Sequence, residues 1–598
     1  MFIIHAGGKI NYHTYTNSKE SIINILEFVE KFDLNEIFIE VDVIKIKDEF
    51  VIAHNCCEKS IYGFDKNFNE INFNEYKKLK VYNKFTPLDF YILKEIILLY
   101  PKVKFILDIK EHNEEYNNCL KYIKNILNDN INKIIPQIYY ENELDYIINN
   151  NYKRVLFASY NFDCAGISLI NNRTTEFIKT INNSKIELFG ISIHIKNFNT
   201  EDFLHFIKNH EKEKIYFHGQ HEHDEHILYE KVQKYNCGLF SYKIMFKNNI
   251  NNKERIDYYT SNINKKWILN FDINTETIRY VDNNISINYN TPCVEQYGTY
   301  NITNNFDENK YKYLFEKKIM KLDKEHTAYK NFIHIMNYDN NSYIKPILKI
   351  KNKHNYYKNS SFLIRPGDIY FNVPFPIICK TRPLKSINQY KEINNFLINL
   401  DYERHWKIPL DNVNKYDISF KNKNNKLIWR GAPNGLIVQK LYNRPNRLEL
   451  CEKHENNENE NIDIGFVYDY KDIKGKKLIS IENLLKSKFL ISVEGGDVAT
   501  NLKWILYSNS VPFMPKPTVC SWLMEDKLIP WFHYIPINND FRDINEKYNW
   551  CLNNLDKCED ISKNGKEYIN QFLDIKNEEI LEFEVLKKFI DNVEINEI

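Results

Sequence analysis

The sequence predicts an α/β chain in three parts: a (β/α)8 barrel over 1–245, a small β-rich connector over 246–339, and a second α/β region over 340–598. Three observations predict it. The chain has 598 residues, too many for one hydrophobic core. Short apolar strands alternate with helical patterning from the first residues to about Ile244. The alternation returns after about residue 340, where a Gly-Gly turn stands between an apolar run and a helical one.

Composition excludes several classes. Lys+Arg (81) balance Asp+Glu (80), so no global basic field draws nucleic acid, and none is expected as a partner. No apolar run approaches the roughly 18 residues of a transmembrane helix. The start, Met1-Phe2-Ile3-Ile4-His5, lacks the charged and apolar regions of a signal peptide. The 11 cysteines form no CxxC pair, and Cys56 and Cys57 are adjacent. A reducing, cytoplasmic setting is the expectation.

Eight strands are expected in the barrel, at 2–5, 36–43, 104–109, 133–138, 154–159, 188–193, 214–218 and 238–242. An extra strand at 49–53 and an excursion through 86–100 interrupt the repeat. Polar residues gather at the strand ends, where barrel enzymes carry their chemistry. His5 ends the first strand, and Glu40 and Asp42 stand near the end of the second. Being two apart on a strand, those carboxylates share a face. Asp108 and Lys110 close the third strand, His54 follows the extra one, and Gln137 and His218 sit late in theirs. Three carboxylates suit a hard divalent cation, Mg2+ or Ca2+. Two histidines suit general acid and base roles.

The pieces His5-Ala6-Gly7-Gly8, Tyr15-Thr16-Asn17-Ser18, Glu40-Val41-Asp42, Ala53-His54-Asn55 and Leu107-Asp108-Ile109-Lys110 resemble the glycerophosphodiester phosphodiesterase family. That resemblance implies a phosphodiester substrate, metal ligands Glu40, Asp42 and Asp108, and catalytic histidines His5 and His54. Ala6 stands where familiar members carry a phosphate-binding arginine, and Lys110 is the candidate replacement. The histidine-dense 218–226 is read as a polar loop at the barrel mouth, with a transition-metal site as the alternative.

In the connector, 266–271 and 277–281 read as strands around a turn. Beyond it, two apolar strands end in cations: Ile377-Ile378-Cys379-Lys380-Thr381-Arg382 and Leu427-Ile428-Trp429-Arg430-Gly431. Arg444 and Arg447 follow. The turn Glu494-Gly495-Gly496-Asp497-Val498-Ala499-Thr500-Asn501-Leu502-Lys503 leads into a helix. Arginines converging on a glycine turn favour an anionic ligand such as a diphosphate.

With Ser521-Trp522-Leu523-Met524-Glu525 and Pro530-Trp531-Phe532-His533-Tyr534, these blocks resemble glycosyltransferase family 90 over roughly 340–572. The resemblance implies two Rossmann-like lobes of the GT-B type, with a UDP-sugar donor, a glycan or protein acceptor, and no required metal. It assigns Arg430 and Arg447 to the diphosphate. Gly495, Gly496 and Thr500 become the phosphate-facing turn. Lys503 is a charge partner, and Glu494 or Asp497 holds ribose or sugar hydroxyls. Asn501 stands where eukaryotic relatives often carry arginine. Asp368 is the nearest counterpart of the catalytic base, or else an ordinary turn residue. The whole reads as a glycosyltransferase fused to a phosphodiesterase-like barrel in surface-glycan synthesis. Two alternatives stand beside it: a phosphodiesterase with a glycan-binding C-terminal part, and a non-enzymatic scaffold.

Overall fold

The computed structural model describes residues 2–159, 167–194, 200–218, 237–241, 250–290, 301–303, 364–365, 376–384 and 395–597, with breaks of one to four residues inside these ranges. The chain forms two compact units, Met1–Lys247 and Asn248–Ile598.

Unit 1 is an α/β barrel. Among the described residues its strands are β1 (Phe2–Ile4), β2 (Ile37–Lys45), β3 (Phe50–Ile52), β4 (Val103–Ile109), β5 (Ile134–Ile138), β6 (Arg154–Ala158), β7 (Glu187–His194), β8 (Ile215–His218) and β9 (Gly238–Ser241). The order is β1-β9-β8-β7-β6-β5-β4-β2, and a parallel β1–β2 pairing closes the ring. The extra strand, β3, runs antiparallel to β2.

Each of the eight barrel strands sends one side chain to a common buried layer: Ile3, Phe38, Ile106, Ile135, Leu156, Phe189, Tyr216 and Phe240. Side chains alternate along a strand. The inward positions two residues on therefore include His5, Glu40, Asp108 and Gln137, and Asp42 lies two beyond Glu40. A satellite core with Ile46, Tyr62, Phe68, Tyr76 and Val81 fills the excursion after β3. Tyr76 ties it down by donating to the carbonyls of Ile52 (2.8 Å) and Leu88 (3.1 Å).

Unit 2 is also α/β. A parallel sheet takes the order Ile462–Phe466, Asn424–Gly431, Ser487–Ile491, Val511–Met514, Ile535–Pro536. A second parallel sheet joins Ile364–Arg365, Ile377–Cys379 and Asn395–Leu397. An antiparallel pair, Thr381–Pro383 with Val519–Ser521, links the segments that follow the two sheets.

The two expected connector strands are present, as Trp267–Asp272 and Thr277–Asp282, paired antiparallel. They are built into unit 2 rather than standing between units. Trp267–Asp272 pairs in parallel with the last strand, Val593–Glu597. Helix Asn252–Tyr259 joins the C-terminal core through a buried ion pair. Arg255 Nη1 and Nη2 donate to Glu578 Oε1 (2.8 Å) and Oε2 (2.7 Å). Trp522 Nε1 also donates to Glu578 Oε2 (2.6 Å), and its ring stacks on Tyr259 at 3.8 Å.

Removing one partner leaves a buried charge without compensation, which costs about 3–5 kcal/mol. Glu578→Ala is therefore expected to lower the unfolding free energy of unit 2 by that amount. The joint change Arg255→Met with Glu578→Leu is expected to cost much less. Denaturant titrations of the three proteins check both; equal losses would mean that leaving Arg255 unpaired carries no cost of its own.

Candidate functional site

The barrel centre assembles as the strand parity dictates. Glu40, Asp42 and Asp108 are buried, and their ligand oxygens lie within 4.8 Å of one another. Lys110 Nζ bridges two of them, 2.7 Å from Asp42 Oδ1 and 2.5 Å from Asp108 Oδ2. His5 Nε2 lies 3.7 Å from Glu40 and His54 Nε2 3.9 Å from Asp42, so the two histidines flank the triad. Tyr139, two residues beyond Gln137, donates its hydroxyl to Asp108 Oδ1 (2.6 Å) and accepts from Gln137 Nε2 (2.7 Å).

The turn after β1 reaches the same centre. Ala6, Gly7 and Gly8 all have positive φ (46°, 69° and 84°). This conformation aims the Ala6 amide at Glu40 Oε2 (2.7 Å). A Cβ on Gly7 would meet the backbone of Asn17 at 3.2 Å. Asn17 donates to Asp42 Oδ2 (2.9 Å), and its Oδ1 is buried with no partner among the described residues. Three carboxylates and an orphan amide oxygen make an all-oxygen donor set that fits Mg2+ or Ca2+. Asn17 lies in a motif piece but its role there, like that of Tyr139, depends on how a loop folds over the strand ends.

Burial, then the charges of Asp42 and Asp108, push the Glu40 carboxyl well above its usual range; Lys110 and the Ala6 amide oppose this. For Lys110, burial alone would lower the pKa, but Asp108, Asp42 and Glu40 hold it well above its ordinary value. A carboxyl raised in the folded state confers stability that is complete below its unfolded pKa and lost as pH rises through the folded one. The metal-free barrel is thus expected to lose stability as pH climbs above the ordinary carboxylate range, and Ca2+ or Mg2+ to restore it. Melting curves of chelator-treated protein across that range, with and without Ca2+, check this; superimposable curves would contradict it.

In unit 2 the glycine turn lies at the C-terminal edge of the five-stranded parallel sheet, where open α/β sheets bind ligands. The arginines brace the turn. Arg444 donates to Glu494 Oε2 (Nη2, 2.8 Å) and to the Gly496 carbonyl (3.0 Å). Arg447 donates to the carbonyls of Glu494 (3.0 Å) and Val493 (2.9 Å). Gln439 adds a bond to the Glu494 carbonyl (2.5 Å).

Gly435 packs back-to-back with the turn: a Cβ there would fall 2.3 Å from the Gly495 carbonyl carbon, and φ is +75°. Nothing in the local motif announces Gly435 or Gln439. They matter because a distant loop closes on the turn.

Several assigned residues have structural partners instead. Arg430 donates to Asp463 Oδ2 (2.6 Å) and the Lys477 carbonyl (3.1 Å). Strand alternation puts it on the sheet face opposite Trp429, whose ring lies 5.9 Å from the Arg447 guanidinium. The structure thus does not bring Arg430 and Arg447 together.

Glu494 receives Thr518 N (2.8 Å), Val519 N (3.2 Å) and Arg444, so it anchors the segment after Pro517. Asp497 pairs with Lys380 (2.9 Å) and accepts from Thr381 (3.0 Å). Asn501 bonds Ser492 (2.9 Å) and the Ile491 carbonyl (3.1 Å). Thr500 is exposed and Lys503 buried. The amides of Gly496, Val498, Ala499 and Thr500 donate to no described residue. Backbone amides of this kind can serve an anion. Asp368 and 219–226 lie outside the described residues.

The two units thus define two classes of site: an acidic, cation-ready barrel mouth, and an anion-ready turn at a parallel sheet edge. Residues 398–593, within unit 2, match the model of Glycosyl transferase family 90. An O-glucosyltransferase, LpsA, from Dichelobacter nodosus is 29% identical over 230 residues, covering 38% of this chain and 66% of that one. Protein O-glucosyltransferase 3 from Homo sapiens is 24% identical over 180 residues, covering 29% and 33%. The chain therefore spans just under two thirds of the first relative and a third of the second. A solved glycerophosphodiester phosphodiesterase from Parabacteroides distasonis aligns with 40% of this chain and 92% of its own, at 13% identity and a TM-score of 0.30. Among the described residues, no helix is long and apolar enough to cross a membrane.

Proposed function

We propose that the chain is a two-site enzyme of surface-glycan synthesis. Unit 2 transfers a sugar from a UDP-linked donor to a hydroxyl of a glycan or protein, and unit 1 acts on a phosphodiester. The observation that carries the transferase reading is the coincidence of the family match at 398–593 with the anion-ready turn at a sheet edge. Its two parallel sheets support a GT-B reading. In this account the turn amides and Thr500 meet the diphosphate. Arg444 and Arg447 supply fixed positive charge beneath them, and Arg430 drops out of direct contact. The acceptor oxygen bonds to the anomeric carbon as the bond to the diphosphate breaks. The acceptor proton passes to a carboxylate, for which Asp368 remains the candidate. A cytoplasmic setting belongs to the same proposal.

In unit 1, Glu40, Asp42 and Asp108 would hold the cation, whose chemistry is to neutralise charge on the phosphoryl oxygens. His5 and His54 flank that position. One would take a proton from the attacking water as its oxygen bonds to phosphorus, and the other would give one to the leaving oxygen as its bond to phosphorus breaks. Lys110, held between Asp42 and Asp108, places a positive charge beside the phosphoryl position.

Incubation of the full chain with UDP-glucose is expected to release UDP whether or not EDTA is present, whereas EDTA is expected to stop hydrolysis of bis(p-nitrophenyl) phosphate. Failure to release a nucleoside diphosphate from any common nucleotide sugar would overturn the transferase reading.

A further inference from the structure

A narrow cleft adjoins the turn, with Glu494, Ala499, Leu502, Met514 and Glu525 in its wall and Lys516 exposed on it. Two carboxylates line it, and they differ in kind. Glu494 is saturated by Arg444, Thr518 and Val519, as described above. Glu525 is 3% exposed and is held by Ser521 alone among neighbouring side chains, its Oε2 accepting from Ser521 N (2.6 Å) and its Oε1 from Ser521 Oγ (2.7 Å). A carboxylate offers about four acceptor positions, so Glu525 retains capacity towards the pocket.

Lys503 sits in the same neighbourhood. It is 8% exposed, its ammonium lies 5.3 Å from the Trp406 ring, and it makes no hydrogen bond to a described residue. Burial pushes Glu525 above the usual carboxylate range, while Lys503 and Ser521 pull it down. Burial likewise lowers Lys503, and Glu525 opposes that shift. A cation near a buried carboxylate favours its ionised form.

We infer that Glu525 is the specificity-determining carboxylate of the transferase, accepting a hydroxyl of the transferred sugar in this pocket. The inference rests on the donor reading above. Apolar side chains of Ala499, Leu502 and Met514 suit the C–H face of a sugar ring, and the acceptor oxygens of a carboxyl group suit its hydroxyls. A nucleobase is a poorer occupant, because no aromatic ring among the described residues lines the pocket to stack with it. Val498 and Ala499, whose amides donate to no described residue, stand on the same wall, so a diphosphate at the turn would lie next to the sugar it carries.

The test uses the full chain, with UDP and UDP-glucose as probes in calorimetric titrations. The unsubstituted protein is expected to bind UDP-glucose more tightly than UDP. In Glu525→Gln the UDP affinity is expected to stay within about twofold, while that for UDP-glucose falls to the UDP value, a loss of roughly tenfold or more for a charged hydrogen bond. Glu525→Asp, which keeps the charge one methylene further back, is expected to recover part of the difference. The same preference for UDP-glucose over UDP in Glu525→Gln as in the unsubstituted chain would overturn the inference while leaving the donor reading intact. Parallel loss of both ligands in Glu525→Gln and Glu525→Asp would overturn it too, by assigning the residue to support of the turn. If the unsubstituted chain binds neither probe, the donor reading falls and takes the inference with it.

Discussion

Asp42→Asn is expected to abolish cation binding by the barrel and to slow phosphodiester hydrolysis by about a thousandfold or more. The argument is electrostatic. Asp42 is buried, receives Lys110 at 2.7 Å and Asn17 at 2.9 Å, and shares a pocket with Glu40 and Asp108. The amide keeps the shape and removes one of three charges that would hold a divalent ion. Lys110 keeps its partner Asp108, so the fold is expected to survive. A thousandfold change corresponds to about 4 kcal/mol at 1.36 kcal/mol per factor of ten, within what a metal supplies to a phosphoryl transition state. Titration with Ca2+ and hydrolysis of bis(p-nitrophenyl) phosphate check the two halves separately. Hydrolysis that persists in Asp42→Asn and resists EDTA would mean that the carboxylates are structural.

The second large effect is expected at Gly435. Its added methyl in Gly435→Ala would fall 2.3–2.5 Å from the backbone of Gly495 and Gly496, and alanine is strained at φ +75°. Backbone cannot rotate out of the way as a long side chain can. Overpacking costs typically 1–3 kcal/mol, and the left-handed conformation adds roughly 1–2 kcal/mol. The turn must move, and with it the row of amides from Gly496 to Thr500. Nucleotide binding is expected to fall at least tenfold, while the barrel keeps its Ca2+ affinity. Unchanged UDP affinity would separate the turn from the nucleotide site.

Much of this architecture is legible in the sequence because it is local. The eight barrel strands follow from apolar runs of four to eight residues, and the period of two explains why Glu40, Asp42 and Asp108 converge. The carboxylate and histidine set needs only strand ends and parity. What sequence reading misses is partner choice across long separations.

Arg430 at a strand end is indistinguishable by motif from a phosphate ligand. Which face it takes, and that Asp463 waits there 33 positions later, is decided by register between two strands. The connector looks separate because its stabilising partners, Glu578 and Val593–Glu597, lie more than 300 residues downstream. Glu494 and Asp497 look like sugar ligands in a one-dimensional motif. In three dimensions both also hold the fold, through Thr518, Arg444 and Lys380.

The central claim is that unit 2 binds a nucleotide sugar at the turn Glu494–Lys503. Its most direct test is a thermal-shift panel of nucleotide sugars and nucleoside diphosphates on the full chain. A ligand that binds only the folded state adds about 2.7 kcal/mol of stability at 100 times its Kd. One UDP-sugar is expected to raise the melting temperature of unit 2 selectively, UDP to raise it less, and Gly435→Ala to abolish both shifts. Well-folded protein whose unit 2 transition is unmoved by every member of the panel would contradict it.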